Sequence, residues 1–136
     1  MPKQINHEEN EQISFMKYCR LKKVPMPDDG EMMSVFDIIY HIRNESYEKG
    51  TKREITFRMM KAKEAGFKSG TPDLCFPYPT DKYPGLYIEM KRREKSKAKI
   101  SENQWERIKL LDRLGYMVRI CFGWEQAKEV LEDYLK

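Results

Sequence analysis

The chain has 136 residues, of which 40% are hydrophobic and 35% charged, and its formal net charge is +4. This length and composition predict a single globular domain over residues 1–136. The sequence has no apolar run of about 18 residues, which excludes a membrane-spanning helix. The polar first residues carry no apolar signal region, so we expect a cytoplasmic protein.

The cysteines bear on the class of protein. Cys19, Cys75 and Cys121 are odd in number, far apart and set in apolar surroundings. That spacing fits neither a disulfide framework nor a zinc site. We therefore expect three buried thiols.

The first third of the chain predicts a helix, a break and a strand. Phe15, Met16 and Cys19 recur at helical spacing within a helix over residues 5–22. Two prolines and a glycine at 22–31 end it. The β-branched and aromatic residues at 35–42 predict a strand.

Two later helices begin at capping-box patterns, in which Ser or Thr is followed three residues later by Glu or Gln. Thr51 and Glu54 start a helix that is predicted to end at Gly66. Ser101 and Gln104 start another, which glycine ends in the same way.

The second half of the chain alternates strands with these helices. Strands are predicted at 73–76 and 86–91, joined by a turn at 78–85 that contains two prolines and a glycine. A strand at 116–122 and an amphipathic helix at 124–135 complete the order. The pattern predicts an α/β fold with a mixed β-sheet flanked by α-helices.

The strand at 86–91 carries Glu89 and Lys91. Because side chains alternate between the faces of a strand, these two project from the same face, about 7 Å apart. Asp73 begins the neighbouring strand, and a hairpin can bring it beside Glu89. Two charges of the same sign would then meet next to a lysine.

Paired carboxylates repel each other unless a proton or a cation lies between them. A proton would raise the pKa of one acid. A hard divalent cation such as Mg²⁺ would bind both, and the main-chain carbonyl of Met90 could add a ligand. Lys91 could then help to activate a water or to stabilise charge on a phosphoryl oxygen, which is the chemistry of phosphodiester hydrolysis.

These residues form a recognisable pattern. "GTPD" (70–73), followed after fifteen residues by "EMK" (89–91), resembles the PD-(D/E)XK nuclease superfamily. More closely, the chain resembles the VRR-NUC family, the virus-type replication-repair nucleases. The similarity extends from "EENEQISFMKYCRL" through "MMKAKEAGFKSGTPDLCFP" to the SxxQ helix, over nearly the whole chain.

The resemblance implies a restriction-endonuclease-like core and dependence on Mg²⁺ or Mn²⁺. It implies that Asp73 and Glu89 are metal ligands, that Lys91 is the catalytic lysine and that Gln104 is an accessory residue of the site. Small single-domain members look like dimeric Holliday-junction resolvases, so a homodimer acting on branched DNA in a phage or bacterium is implied.

Two of these roles have alternatives. A first-helix glutamate would complete the site, and it could be Glu8 or Glu11. Glu11 lies deeper in the helix, where fraying is less, and is preferred; either could simply be a solvated acid near the helix start. Gln104 also stands where a capping box places Glu or Gln.

Other polar residues have weaker interpretations. His41 is expected to be a packed histidine. The residues expected to contact DNA are Asn44, Arg92, Arg93, Lys95, Lys97 and Lys99. The alternatives to an endonuclease of branched DNA are a nuclease of flaps or linear ends, a catalytically inactive DNA-binding module and a structural protein.

Overall fold

The computed structural model describes residues 6–43 and 50–136. The helices are α1 (His7–Leu21), α2 (Val35–Ile38), α3 (Lys52–Glu64), α4 (Glu102–Arg113) and α5 (Trp124–Tyr134), with a 3-10 turn at Lys95–Lys97. The strands are β1 (Lys23–Pro25), β2 (Met32–Ser34), β3 (Tyr40–His41), β4 (Leu74–Phe76), β5 (Leu86–Lys91) and β6 (Met117–Phe122).

The central sheet is mixed, as expected. Its strand order is β3-β4-β5-β6, with β4 antiparallel to both neighbours and β5 parallel to β6. A parallel pair needs a crossover, and α4 lies within the one that joins β5 to β6. β1 and β2 form a separate antiparallel hairpin. Its first strand and its turn lie in the segment 22–31, which the sequence predicts only as a break, and its second strand follows that segment.

The core lies between the sheet and the pair α1 and α5, which pack on each other and on β5. Leu86, Ile88 and Met90 of β5 are fully buried there with Phe15 of α1 and Leu131 of α5. These apolar positions of β5 occupy one face of the strand, which directs Glu89 and Lys91 to the other.

One predicted element is wrong. Residues 35–42 were predicted to form one strand, but Val35–Ile38 is helical and only Tyr40–His41 is extended. Ser34 ends β2 and caps the helix, accepting a hydrogen bond from Phe36 N at 3.2 Å. The cap and the burial of Val35 against the core outweigh the strand preference of the β-branched residues.

The remaining predictions of elements are confirmed. Both capping boxes form, at Thr51–Glu54 and at Ser101–Gln104. Cys19, Cys75 and Cys121 are buried free thiols. None of the helices in the described residues is both long and apolar enough to traverse a lipid bilayer.

Candidate active site

The pairing of β4 with β5 brings two acids together. Leu74 pairs with Ile88, so Asp73, one residue earlier, falls opposite Glu89, one residue later. Residues opposite each other in an antiparallel pair share a face and lie close together. Asp73 is fixed by the backbone: its Oδ2 accepts from Met90 N at 2.8 Å, and its carbonyl accepts from Ile42 N at 2.6 Å.

Glu89 and Lys91 are both buried, with 3% and 5% of their surface exposed. Lys91 Nζ lies 3.7 Å from Glu89 Oε1. It also donates to Gln104 Oε1 at 3.3 Å, and Gln104 Nε2 donates to Glu89 Oε1 at 3.0 Å. One amide group therefore bridges the acid and the lysine.

Gln104 serves the helix at the same time. Its Oε1 accepts from Ser101 N at 2.8 Å, which completes the capping box of α4. The two interpretations of Gln104 from the sequence are therefore compatible, because its oxygen caps the helix while its nitrogen binds Glu89. The start of α4 is thereby fastened to the end of β5.

The loop before Asp73 packs against the same turn of α4. Gly70 has φ +82°, and a Cβ placed there would lie 2.6 Å from Gln104 N and closer still to the backbone of Asn103. Only glycine permits this approach. Asn103 Nδ2 also donates to Ser69 Oγ at 3.3 Å, so the two acids and the glutamine belong to one packed unit.

The electrostatics of the site centre on Glu89. Burial, followed by the neighbouring Asp73 carboxylate, raises the pKa of Glu89 from 4.5 to about 8, although Lys91 opposes the shift. Glu89 Oε2 is buried without a hydrogen-bond partner among the described residues. Two ionised carboxylates cannot donate to each other, so a proton shared by Glu89 and Asp73 or a bound cation would relieve their repulsion.

These residues fit a hard divalent cation. Mg²⁺ takes carboxylate oxygens and keeps several waters, with only one or two protein carboxylates. Within the described part of the chain, no three His, Cys, Asp or Glu side chains are grouped closely enough to hold a metal ion. Asp73 and Glu89 therefore resemble the open, partly hydrated site of Mg²⁺ rather than the closed cage of a structural metal.

A cavity of about 430 Å³ adjoins Asp73 and reaches the first helix. Glu8, Gln12, His41 and Met90 are among the residues that line it with Asp73. The charge of Glu8 also contributes to the raised pKa of Glu89. Glu8 and Glu9 of α1 both line this cavity, and Glu8 is the one whose charge acts on Glu89.

Glu11, the preferred acid from the sequence, is not among the residues that line this cavity. Its Oε2 accepts from Trp124 N at 2.7 Å and caps the start of α5, while its Oε1 lies 3.5 Å from Arg93 Nε. Glu8 and Glu11 are three residues apart, yet their carboxylates have different surroundings: Glu8 lines the cavity beside Asp73, and Glu11 binds the start of α5. Which acid of α1 takes part in the reaction stays a prediction, and this geometry favours Glu8.

His41 is exposed, not packed as expected. Its Nδ1 lies 3.0 Å from the carbonyl oxygen of Asp73 and 3.3 Å from Gln12 Nε2. From the sequence, His41 is a candidate ligand or base for which packing is favoured, and Gln12 has no predicted connection with the site. The only indication was that Gln12 follows Glu8 by one helical turn.

The residues predicted to contact DNA have different partners in the structure. Arg93 Nη2 donates to both carboxylate oxygens of Glu125 at 2.8 Å. These contacts hold the Arg93 side chain at the start of α5. Lys97 pairs with Glu94 at 3.2 Å, and Lys95 Nζ lies 5.0 Å from the centre of the Phe122 ring.

Among the others, Lys99 is exposed and Arg92 is half-buried. Asn44 lies outside the described residues. Contact of this group with DNA stays a prediction.

Comparison with known proteins agrees with this geometry. The model of the VRR-NUC domain matches residues 36–124, more than half of the chain. A solved VRR-NUC domain protein has a TM-score of 0.74 and 25% identity, over 97% of this chain and 90% of that chain. No curated protein matches significantly. Because the matched segment contains Asp73, Glu89, Lys91 and Gln104, the resemblance is confirmed: the chain belongs to the VRR-NUC domain family, whose members are nucleases of the PD-(D/E)XK type.

Proposed function

We propose that this protein is a DNA endonuclease that depends on Mg²⁺ or Mn²⁺ and hydrolyses phosphodiester bonds in branched DNA. The observation that carries the proposal is the buried, unpartnered Oε2 of Glu89 beside Asp73, with the ammonium of Lys91 3.7 Å from the other Glu89 oxygen. Two ionised carboxylates beside a single lysine carry a net negative charge, which a divalent cation would compensate.

Asp73 and Glu89 would hold the ion, with the main-chain carbonyl of Met90 as a further oxygen donor, while Glu8 lines the adjoining cavity. A bound Mg²⁺ or Mn²⁺ supplies a Lewis acid that polarises a phosphoryl oxygen and lowers the pKa of a water. The residues of the chain itself have separate tasks. The Met90 N–H holds the Asp73 carboxylate by a hydrogen bond. The Gln104 amide fixes the side chains of Glu89 and Lys91 relative to each other.

Lys91 places a buried positive charge where negative charge grows on the phosphate during attack by water. The water gives up a proton to solvent as its oxygen bonds to phosphorus, the bond to the leaving deoxyribose oxygen breaks, and that oxygen takes up a proton from solvent. Because Lys91 is anchored by Gln104 Oε1 at 3.3 Å, its ammonium group is oriented before substrate binds.

The choice of branched DNA and of a homodimer follows the likeness to small single-domain members of the family. The exposed basic residues near the site, among them Lys95 and Lys99, support binding through phosphates. Recognition would then depend on DNA shape more than on base edges.

The test is cleavage of labelled four-way junction, flap and linear duplex DNA with Mg²⁺ and with Mn²⁺. We expect wild type to cut the junction best, and Asp73→Ala and Lys91→Ala each to lose at least about a hundredfold in rate. Asp81→Ala, at an exposed acid in the turn between β4 and β5, is the matched control and should cut normally.

Equal cleavage by Asp73→Ala and wild type would remove this site from the reaction. Binding of DNA without cleavage under any metal would instead identify an inactive DNA-binding module. Preference for a flap or a linear end would replace the proposed substrate while keeping the chemistry.

A further inference from the structure

α3 differs from the other α-helices of the described chain because none of its side chains is buried. It is held together by its capping box, yet it exposes large apolar groups: Phe57 is 58% exposed and Met60 is 59% exposed. They stand three residues apart and so lie on one stripe of the helix. A 13-residue helix is marginally stable by itself and gains most of its stability when an apolar face packs against a partner. The exposed stripe of α3 is therefore a candidate contact surface.

The charge of α3 indicates what would cover that surface. The helix has five basic and two acidic residues, and one of the acids, Glu54, is used in the capping box. Exposed cations surround the apolar stripe: Lys52, Arg53, Lys61 and Lys63. Two copies of this helix placed face to face would repel each other, whereas a polyanion would be attracted.

The apolar and basic groups form one surface. Lys61 Nζ lies 4.9 Å from the centre of the Phe57 ring. Lys52 and Lys63 are eleven residues apart, about three helical turns, so they point in the same direction along the helix. A ligand that lies along α3 would meet cations and an aromatic side chain together.

This surface continues towards the proposed active site. Lys63, Lys68 and Arg107 line a groove of about 460 Å³ between the end of α3 and α4. Asn103 lines the same groove, and the next residue is Gln104, which binds Glu89 and Lys91. Glu106 also lines the groove, so its charged lining is three cations and one acid, a positive excess that favours a polyanion between α3 and α4.

We propose that α3 binds a second arm of branched DNA and reads the branch point. Its lysines contact phosphates of the arm, and Phe57 and Met60 pack against the base pair that is exposed where the arms part. This inference rests on the proposed function and explains how the proposed active site would select branched DNA. The interior of a linear duplex offers phosphates but no exposed base-pair face, so only the lysines act on a linear duplex whose ends are closed by hairpin loops.

The experiment measures affinity for a fluorescent four-way junction and for a linear duplex of the same sequence whose ends are closed by hairpin loops, without divalent metal, over a range of salt concentrations. Lys52→Gln with Lys63→Gln should weaken both complexes by about three- to tenfold and lower the salt slope by about two. Phe57→Ala with Met60→Ala should weaken the junction complex by about five- to tenfold and leave the linear complex within about twofold.

Matched controls remove similar groups elsewhere. Lys17→Gln with Lys23→Gln removes two exposed lysines near the opposite end of the chain, and Leu21→Ala with Leu114→Ala removes two exposed apolar side chains. Both controls should bind each DNA as wild type does. Circular dichroism checks that every variant is folded.

Equal losses in the α3 variants and the controls would overturn the inference. So would a change from dimer to monomer in Phe57→Ala with Met60→Ala by light scattering, since the stripe would then be a self-association surface. The two proposals can fail separately: a chain that binds junctions through α3 but never cuts them refutes the nuclease alone, and normal cutting of junctions by both α3 variants refutes the role of α3 alone.

Discussion

Gln104 and Glu89 are joined by a hydrogen bond of 3.0 Å from the amide nitrogen to the carboxylate, and this single contact connects a helix cap with a buried acid. The amide oxygen of Gln104 caps α4 while its nitrogen faces the site. An exchange of that amide group for a carboxylate therefore separates the two roles.

Gln104→Glu should keep the capping box, because Glu serves at this position as well as Gln. It replaces the donor to Glu89 by a third negative charge, so we expect cleavage to fall by at least about tenfold while the melting temperature of the metal-free protein also drops through repulsion. Glu54→Gln, the reverse exchange in the capping box of α3, should change neither property. Cleavage at the wild-type rate in Gln104→Glu would mean that Gln104 is only a cap.

The raised pKa of Glu89 makes the stability of the metal-free protein depend on pH. The pKa is about 8 in the folded protein and 4.5 unperturbed, so the folded state holds a proton that the unfolded state has released. The contribution of Glu89 to the free energy of unfolding should be greatest below pH 4.5 and should decline as pH rises through 8. Chemical denaturation of wild type and Glu89→Gln between pH 5.5 and 8.5 measures this, and the decline should be absent in the variant. A cation that replaces the proton should flatten the wild-type curve when Mg²⁺ is added.

Asp73→Asn separates the charge of Asp73 from its structural contact. In wild type, Asp73 Oδ2 accepts from Met90 N at 2.8 Å, and an asparagine oxygen can accept the same hydrogen bond. Alanine leaves that buried N–H unsatisfied, at a cost of about 1–3 kcal/mol. We expect Asp73→Asn to be as stable as wild type without metal, and Asp73→Ala to be less stable. Neither should bind Mn²⁺ in calorimetry. Retained Mn²⁺ affinity in Asp73→Asn would argue against Asp73 as a ligand.

The two acids of α1 should give opposite results. Glu11→Ala removes the cap of α5 at Trp124 N and should cost about 1 kcal/mol of stability, with cleavage retained in the folded protein. Glu8→Ala, at an exposed residue of the cavity beside Asp73, should lower cleavage with little change in stability. Cleavage assays and thermal melts on both proteins decide between them, and the reverse result would restore Glu11 to the site.

Gly70→Ala should damage both stability and cleavage. Its Cβ would meet the backbone of α4 at Gln104 N, 2.6 Å away, in addition to the strain of a positive φ. We expect a loss of about 2–4 kcal/mol. Gly66→Ala is the matched control, because φ is +100° there but no atom lies within 4 Å of the added carbon, so only the conformational strain of about 1 kcal/mol should appear. Similar melting temperatures for the two variants would contradict the close contact.

Sequence alone determined the features that depend on neighbours a few residues apart. Alternation along β5 placed Glu89 and Lys91 on one face, and the capping boxes located the starts of α3 and α4. The order of elements also predicted the mixed sheet. These rules work because the chain geometry over one strand or one helical turn is nearly fixed.

Tertiary structure decided the features that depend on contacts between distant segments. The register that sets Asp73 opposite Glu89, the use of Glu11 as a cap for α5 113 residues away, and the helix that replaces the predicted strand at 35–38 all depend on such contacts. The direction of a side chain relative to another element is set by how whole elements pack, and no local pattern encodes that packing. The sequence therefore supplied the candidate residues of the site, and the fold decided which of them lie together.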